Sequence, residues 1–374
     1  MTAVAAPPSC YLDEVQVIER VLAHIDAGTT DEGPRTGRVP IEHYLDPDRY
    51  AAEVAMLRRL PIPFCPSRAL PQPGSYHARD AAGVPIVAVR DNDGQVHAYR
   101  NSCRHRGTPV VEGSGCARAL VCPFHGWVYA LNGSLSHVPH IEGFPGLDPS
   151  ARGLVPVACQ ERGGLIWVNQ AADDFEAVST VPGLTASQVL VEHITMTVAG
   201  NWKVLTEGFL EGYHIRATHP TTFLPFGYDN LTVLEQNGPH NRLTFPFRRI
   251  ETLREQPRDT WNIDGLVTQL DHVFPNAVMA RLSSHTALVV IEPLDVGRTA
   301  LEVYKMATPA TDGSVPENAR RDMEFVENGL REDRAMAEGV QRGLSCRNDD
   351  VLFARYESAL THLHEELDAA LRAG

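Results

Sequence analysis

No run of about 18–20 continuous apolar residues occurs in the chain, so nothing in it reads as a membrane-spanning helix. The start, MTAVAAPPSCYLDEVQVIER, lacks the basic segment and apolar core of a secretory signal, which makes a cytoplasmic location the expectation. Positive charge is short as well. The 33 Lys and Arg face 47 Asp and Glu, and the formal charge of −14 argues against nucleic acid or an anionic membrane as the main partner. Cysteine is scarce: seven, an odd number over a long chain, fit a reducing compartment with metal-binding or free thiols better than a disulfide framework. Internal repeats and low-complexity tracts are missing. So is any Gly-x-Gly-x-x-Gly run, which places a nicotinamide or flavin, if one is used, on another polypeptide.

What is present suits two globular domains, since 374 residues is about two and a half times a domain of ~150. The first ten residues read as a tail and Gly28 to Gly37 as a loop, with an amphipathic helix over Tyr11 to Ile25 between them. From Pro61 to Asn169, short runs such as PIVAVR, LVCPF and LIWVN are broken by Gly, Pro and Asn, the pattern of a small all-β domain. A loop near Ala171 to Pro182 precedes the alternating VLVEHITMTVAG and a helical segment from Asn201 through His214. Strands are expected at Leu231 to Leu234, Arg242 to Phe247, Val278 to Leu282, Ala287 to Ile291 and Ala300 to Tyr304. Two helices follow, about Pro316 to Leu344 and Phe353 to Leu371, so the second domain is α+β.

The β-rich stretch holds N-S-C-R-H-R-G-T-P and, sixteen residues after His105, C-P-F-H-G-W. Cys103 and His105 form one arm, Cys122 and His125 the other, each beside a glycine (Gly107, Gly126) and a proline, the makings of tight loops around an anionic cluster. Structural zinc sites pair like ligands in one knuckle, and that spacing is missing here. Mixed Cys-x-His and Cys-x2-His arms read instead as a Rieske [2Fe–2S] centre, the thiolates on one iron and the imidazoles on the other. Cys10, Cys65, Cys116, Cys159 and Cys346 match no ligand spacing. Arg100, Arg104, Arg106 and Arg118 against Glu112 make a local basic patch, suited to an acidic electron donor or to an ordinary solvated surface.

A second constellation lies in N-W-K-V-L-T-E-G-F-L-E-G-Y-H-I-R-A-T-H-P. His214 and His219 are too far apart for adjacent turns of a regular helix, but converge if the helix ends or loosens near Thr218, before Pro220. Non-haem iron that activates O2 takes two His and one carboxylate. The carboxylate candidates lie on the long C-terminal helix: Asp333, with Glu332, Asp322 and Glu338 as rivals.

Taken together, the two constellations resemble the catalytic α subunit of Rieske non-haem iron oxygenases, the ring-hydroxylating oxygenase family, over nearly the whole chain. The resemblance implies a Rieske [2Fe–2S] domain over residues 61–172, a helix-on-antiparallel-sheet (helix-grip, START-like) catalytic domain over 173–374, and an N-terminal helical segment, 1–60, packed on the latter. It gives Asp333 the place of the carboxylate ligand to the mononuclear Fe(II). It puts Glu211 where the family has an acid that bridges a cluster histidine of the neighbouring subunit to an iron histidine, here His125 and His214, across a head-to-tail homotrimer. The implied activity is that of a terminal oxygenase. It takes O2, and electrons from a ferredoxin and/or NAD(P)H-dependent flavin reductase, to hydroxylate or oxidatively demethylate a small organic substrate. Ring dihydroxylation is the alternative within the family. From another class, the rival is a Rieske electron-transfer or redox-sensing protein with a non-catalytic binding domain. Gly208 and Gly212 depart from a regular helix and allow irregular or closely approached backbone. By the family's topology, pocket walls fall at Phe223 to Tyr228, Phe245 to Phe247, Phe274 to Asn276 and His285.

Overall fold

The computed structural model describes residues 11–177 and 184–373; the N-terminal tail with Cys10 lies outside the described residues. The chain opens with α1 (Glu14–Ala27), whose Asp13 cap accepts from Gln16 N–H while Gln16 returns a bond to Asp13. There follow β1 (Gly37–Val39), α2 (Glu42–Leu45) and α3 (Pro47–Arg59). Ten strands come next: β2 (Ile62–Pro66), β3 (Ser75–Ala81), β4 (Val84–Arg90), β5 (Val96–Arg100), β6 (Ser114–Cys116), β7 (Leu120–Val121), β8 (Val128–Tyr129), β9 (Leu135–His137), β10 (Pro156–Arg162) and β11 (Leu165–Asn169).

Two compact units result, one taking the chain up to Glu53 and again from Val181, the other taking Val54–Thr180. The latter carries the end of α3 and otherwise two antiparallel sheets, a seven-stranded one ordered β2-β11-β10-β5-β4-β3-β6 and a three-stranded one β7-β8-β9. Its core gathers Val87, Val89, Tyr99, Leu120, Trp127 and Tyr129 around the buried Cys103 and Cys122.

The other unit is built on β12 (Val189–Val198), α4 (Trp202–Phe209), α5 (Ile215–Thr218), β13 (Val233–Asn237), β14 (His240–Pro246), β15 (Val267–Val273), β16 (Ala277–Arg281), β17 (Thr286–Asp295), β18 (Arg298–Ala307), α6 (Glu317–Leu344), β19 (Val351–Phe353) and α7 (Ser358–Arg372). Its sheet is a seven-stranded antiparallel one ordered β12-β18-β17-β16-β15-β14-β13, and β19 pairs with β1. The apolar face of α1 (Val17, Ile18, Val21, Leu22) packs on Leu231 and Val233 of the sheet's end. None of the described helices is long and apolar enough to cross a membrane.

Three sequence expectations change. The helix from Asn201 stops at Phe209, five residues short of His214, because the following turn brings the Gly212 backbone against Phe245; a Cβ there would lie 3.0 Å from the ring. The strand β15 was not expected. The segment Phe274 to Asn276 makes no pocket wall: Asn276 is fully buried and donates to Ile291 O at 3.1 Å, as part of the core next to β16.

A histidine group, with His272 buried and His240 and His362 half-buried, ties β14, β15 and α7 together. Phe274 N–H donates to His240 Nδ1 at 3.0 Å, and His362 Nδ1 lies 2.9 Å from Asn241 Oδ1. Burial pushes His240 down to about 4 and His272 down to about 3, so both fold as neutral imidazoles. The unfolded chain binds these protons near 6.5, so their contribution is complete above that pH and is lost as the pH falls toward 4. Unfolding in urea is therefore expected to cost roughly 3 kcal/mol less at pH 5 than at pH 7 from these two groups. Equal stability at both pH values would contradict this.

Candidate functional site

The two Cys/His arms are built alike despite their different spacing. Cys103 N–H donates to Thr108 O and Gly107 N–H to Cys103 O, at 2.9 Å each; Cys122 N–H donates to Trp127 O and Gly126 N–H to Cys122 O, at 2.8 and 3.0 Å. Each turn closes through a glycine at positive φ, +85° for Gly107 and +69° for Gly126, which side chains rarely adopt. The thiols end buried and the imidazoles outside them, His105 partly covered and His125 exposed, with ring centroids 4.7 Å apart. Trp127 stacks on His105 at 5.1 Å, and Arg106 lies over the exposed Phe124 ring at 4.8 Å. Tyr129 Oη accepts Arg104 N–H at 2.9 Å and sits 3.2 Å from Cys103 Sγ. Burial, then the Cys103 bond, pushes this phenol up, so it stays protonated and can donate to sulfur. Of the basic patch, Arg100, Arg106 and Arg118 are exposed and Arg104 half-buried.

In the other unit, His214 and His219 flank α5, and α6 brings Asp333 to them across 114 residues of sequence. Ligand atoms of His214, His219 and Asp333 all lie within 4.8 Å of one another, the one such group among the described residues. Asp333 Oδ1 is 2.8 Å from His219 Nε2 and 3.6 Å from His214 Nε2. Both rings are turned this way by carboxylates behind them. Glu211 accepts from His214 Nδ1 and, at 3.1 Å, from its backbone N–H. Glu332 accepts from His219 Nδ1 at 2.8 Å and from the Thr222 hydroxyl at 2.6 Å. Burial works against the protonated His214, yet Glu211 and Asp333 outweigh it and hold its pKa above the ordinary value. For Glu332, the Thr222 and His219 bonds outweigh burial and hold its pKa below the usual range.

The rivals to Asp333 thus have other places: Glu332 stands behind His219, Asp322 bonds His285, and Glu338 does not line the cavity. The supporting role of Glu332 was not readable from the chain, because neighbouring residues on a helix point about 100° apart and only the position of His219 shows that both reach one ring. Glu332→Gln keeps the side chain's size but weakens the hold on His219. It is expected to lower iron affinity or turnover about 10–100-fold, read by iron content and kcat.

The triad opens on a cavity of about 1160 Å³. Phe223 sits 4.5 Å from the His219 ring and contacts Phe325, which contacts Phe226, each at 5.5 Å. The strands contribute Leu270, Ala280, Leu282, Ala287, Val289 and Val303. Phe223, Pro225 to Tyr228, Phe245 to Phe247 and His285 line it as the sequence suggested.

Residues 186–373 match the ring hydroxylating alpha subunit (catalytic domain), and residues 61–150 match the Rieske [2Fe-2S] domain. The chain is similar to the chloroplastic choline monooxygenase of Spinacia oleracea, 26% identical over 91% of this chain and 80% of that one. A crystal structure of the quaternary ammonium Rieske monooxygenase CntA superposes with a TM-score of 0.76 at 21% identity, over 88% of this chain and 95% of that one. Naphthalene 1,2-dioxygenase from Rhodococcus sp. gives 0.73 at 16% identity, over 97% and 99%. At these identities the two structures show a shared fold.

The residues present suit the two metal groups of such proteins. His105 Nδ1 is buried without a hydrogen-bond partner among the described residues, beside two buried thiols, which is the donor set of a Rieske centre. His219 Nε2 is likewise buried and, although close to Asp333, is out of hydrogen-bonding alignment with it, as two ligands of one ion are. The chain belongs to the ring-hydroxylating alpha-subunit family and is a Rieske non-haem iron oxygenase, an oxidoreductase with a [2Fe–2S] centre in one unit and a mononuclear iron in the other.

Proposed function

We propose that the protein is the terminal oxygenase of a multicomponent system and mono-oxygenates an organic substrate larger than choline, by hydroxylation or oxidative demethylation. The observation that carries this reading is the opening of His214, His219 and Asp333 onto a largely apolar cavity of about 1160 Å³, roomier than the ~300–1,000 Å³ clefts that hold drug-sized ligands. In it, Cys103, His105, Cys122 and His125 hold the cluster, and His214, His219 and Asp333 hold the iron. When bound, these groups supply one-electron delivery and the reductive activation of O2. The chain's own part is to orient and to exclude water. Glu211 and Glu332 fix both imidazoles with Nε2 inward, and Phe223, Phe226 and Phe325 form an apolar wall beside them against which a C–H bond can rest.

The electron donor is a separate ferredoxin and/or NAD(P)H-dependent flavin reductase docking at the basic cluster loops, and a cytoplasmic location suits the free thiols. The assembly is a homotrimer in which Glu211 accepts from His125 of the partner subunit. A second reading, a quaternary ammonium substrate as the relatives' names indicate, draws on the same three phenylalanines, since ring faces attract such cations.

The test is turnover under 18O2 with a surrogate reductase across amines, aromatic acids and hydrophobic natural products. One labelled oxygen per turnover is expected, in the hydroxylated product or, for demethylation, in the formaldehyde released and trapped before exchange with water. Two would establish dihydroxylation, and aldehyde formation from choline in preference to the larger compounds would favour the second reading.

A further inference from the structure

A third histidine in the cavity is held the way the two iron-site histidines are. His285, at the turn between β16 and β17, has a side chain only 1% exposed, and its Nδ1 lies 2.8 Å from Asp322 Oδ2. That oxygen also accepts Ser284 N–H at 2.8 Å. A carboxylate only accepts, so Nδ1 carries the hydrogen, and in that tautomer the ring's lone pair lies on Nε2. Among the described residues Nε2 has no protein partner, and both His285 and Asp322 line the cavity. An acceptor without a protein partner that borders a cavity is met by a ligand or by water. Of the cations that line the cavity, Lys305 pairs with Glu192 and Glu327, Arg321 with Glu317, Arg249 bonds Ser283 Oγ, and Arg248 lies over the Tyr228 ring.

Helix α6 sets the scale. Asp322 and Asp333 are eleven residues apart, just over three full turns, and so share one face about 16 Å apart along the axis. Between them the helix presents Phe325, Val326 and Leu330 to the cavity, together with Glu327, which Lys305 neutralises. A reacting pole and a hydrogen-bonding pole are therefore joined by a mostly apolar stretch of fixed length.

We propose that His285, positioned by Asp322, is the substrate anchor, and that the cavity takes an elongated, mostly apolar molecule whose far end carries a hydroxyl group donating to Nε2. This rests on the reaction being placed at His214, His219 and Asp333. The anchor sets which carbon reaches that pole.

The bland role for the pair, tying the turn to α6, is separable by substitution. In His285→Asn the amide nitrogen takes the place of Nδ1 and keeps the bond to Asp322, but nothing replaces Nε2. In His285→Gln the amide reaches the place of Nε2 and the tie is lost. Calorimetric binding of dodecanol, dodecane and dodecanoate to the holoenzyme and both variants reads the difference. Wild type is expected to prefer dodecanol over the other two. His285→Asn should bind dodecanol about five- to tenfold more weakly with dodecane affinity, iron content and melting point unchanged, while His285→Gln should keep the preference.

Equal affinity of wild type for the alcohol and the alkane, a preference for the carboxylate, or binding of none of the three overturns the proposal, whatever the variants do. So does an unchanged preference in His285→Asn. His285-dependent binding of dodecanol without its oxidation by a reduced, iron-loaded enzyme would leave the anchor standing and count against the reaction. Oxidation at positions indifferent to His285 would do the reverse.

Discussion

Replacing Asp333 by alanine is expected to abolish turnover and the bound mononuclear iron while leaving the red-brown colour and the rhombic EPR signal of a reduced Rieske centre. Asp333 Oδ1 is the carboxylate oxygen that stands near both imidazole Nε2 atoms, so without it two neutral nitrogens face the ion and no anion offsets its charge. The loss should exceed the ~10–100-fold that a supporting residue costs, which separates Asp333 from Glu332 and Glu211. Asp333→Asn makes the stricter case, keeping shape and removing only the charge. Iron analysis with absorption spectroscopy decides the matter. Retention of one mononuclear iron per chain with normal turnover would hand the ligand role to another acid. Persistent biological effect with lost turnover would instead favour an electron carrier.

The parts of this molecule that sequence reveals are those whose chemistry is local. The mixed Cys/His arms are short, and their spacing alone separates a Rieske centre from a zinc knuckle. The helices α1, α6 and α7 carry clear apolar periodicity, and most strands alternate. The strand β15 escaped because the covered positions inside it are polar. Gln269, Asp271 and His272 are buried between Val267 and Val273, and residues directly across on β14 meet them, Arg242 donating to Asp271 Oδ1 at 2.7 Å and Gln269 donating to Thr244 at 3.0 Å. A pattern of hydrophobicity is blind to a strand whose interior is made of paired polar groups. The helix expected to run to His214 failed for a similar reason, since the close approach of Phe245 to Gly212 is a contact with a distant strand.

A common device became visible only in three dimensions. His214 and His219 come from one short segment and His285 from a distant turn, yet each gives Nδ1 to a carboxylate, Glu211, Glu332 or Asp322. Two of these acids had been candidates for the metal itself. The acids of α6 are thus in part orienting groups for cavity imidazoles.

Glu53→Gln is expected to lower the unfolding free energy by about 3–5 kcal/mol, the largest stability effect of any single polar change in the chain. The chain has two lysines, Lys203 and Lys305, and both are buried. Lys203 Nζ meets Glu53 Oε2 at 2.6 Å, with both side chains at 0% exposure, and lies over the rings of Trp202 and Tyr44 at 5.3 and 5.7 Å. Glu53 also accepts from Trp202 Nε1 at 2.8 Å and pairs with Arg49 at 2.9 Å. Burial alone pulls the Lys203 pKa down, and Glu53 is the neighbour that most opposes it. Removing the carboxylate charge strands the ammonium, whereas Lys203→Met leaves Glu53 with Arg49 and the indole. The Glu53 variant should therefore be the worse of the two, and the double variant should recover much of the loss, because no unpaired charge is then buried. Urea titrations of the four proteins measure the coupling directly. A double variant as unstable as the sum of the singles would mean that the pair does not act as a unit. Because α4 starts at this contact and leads into Glu211 and His214, the stranded lysine should also loosen the iron site, visible as lowered iron content in Glu53→Gln and its return in the double variant.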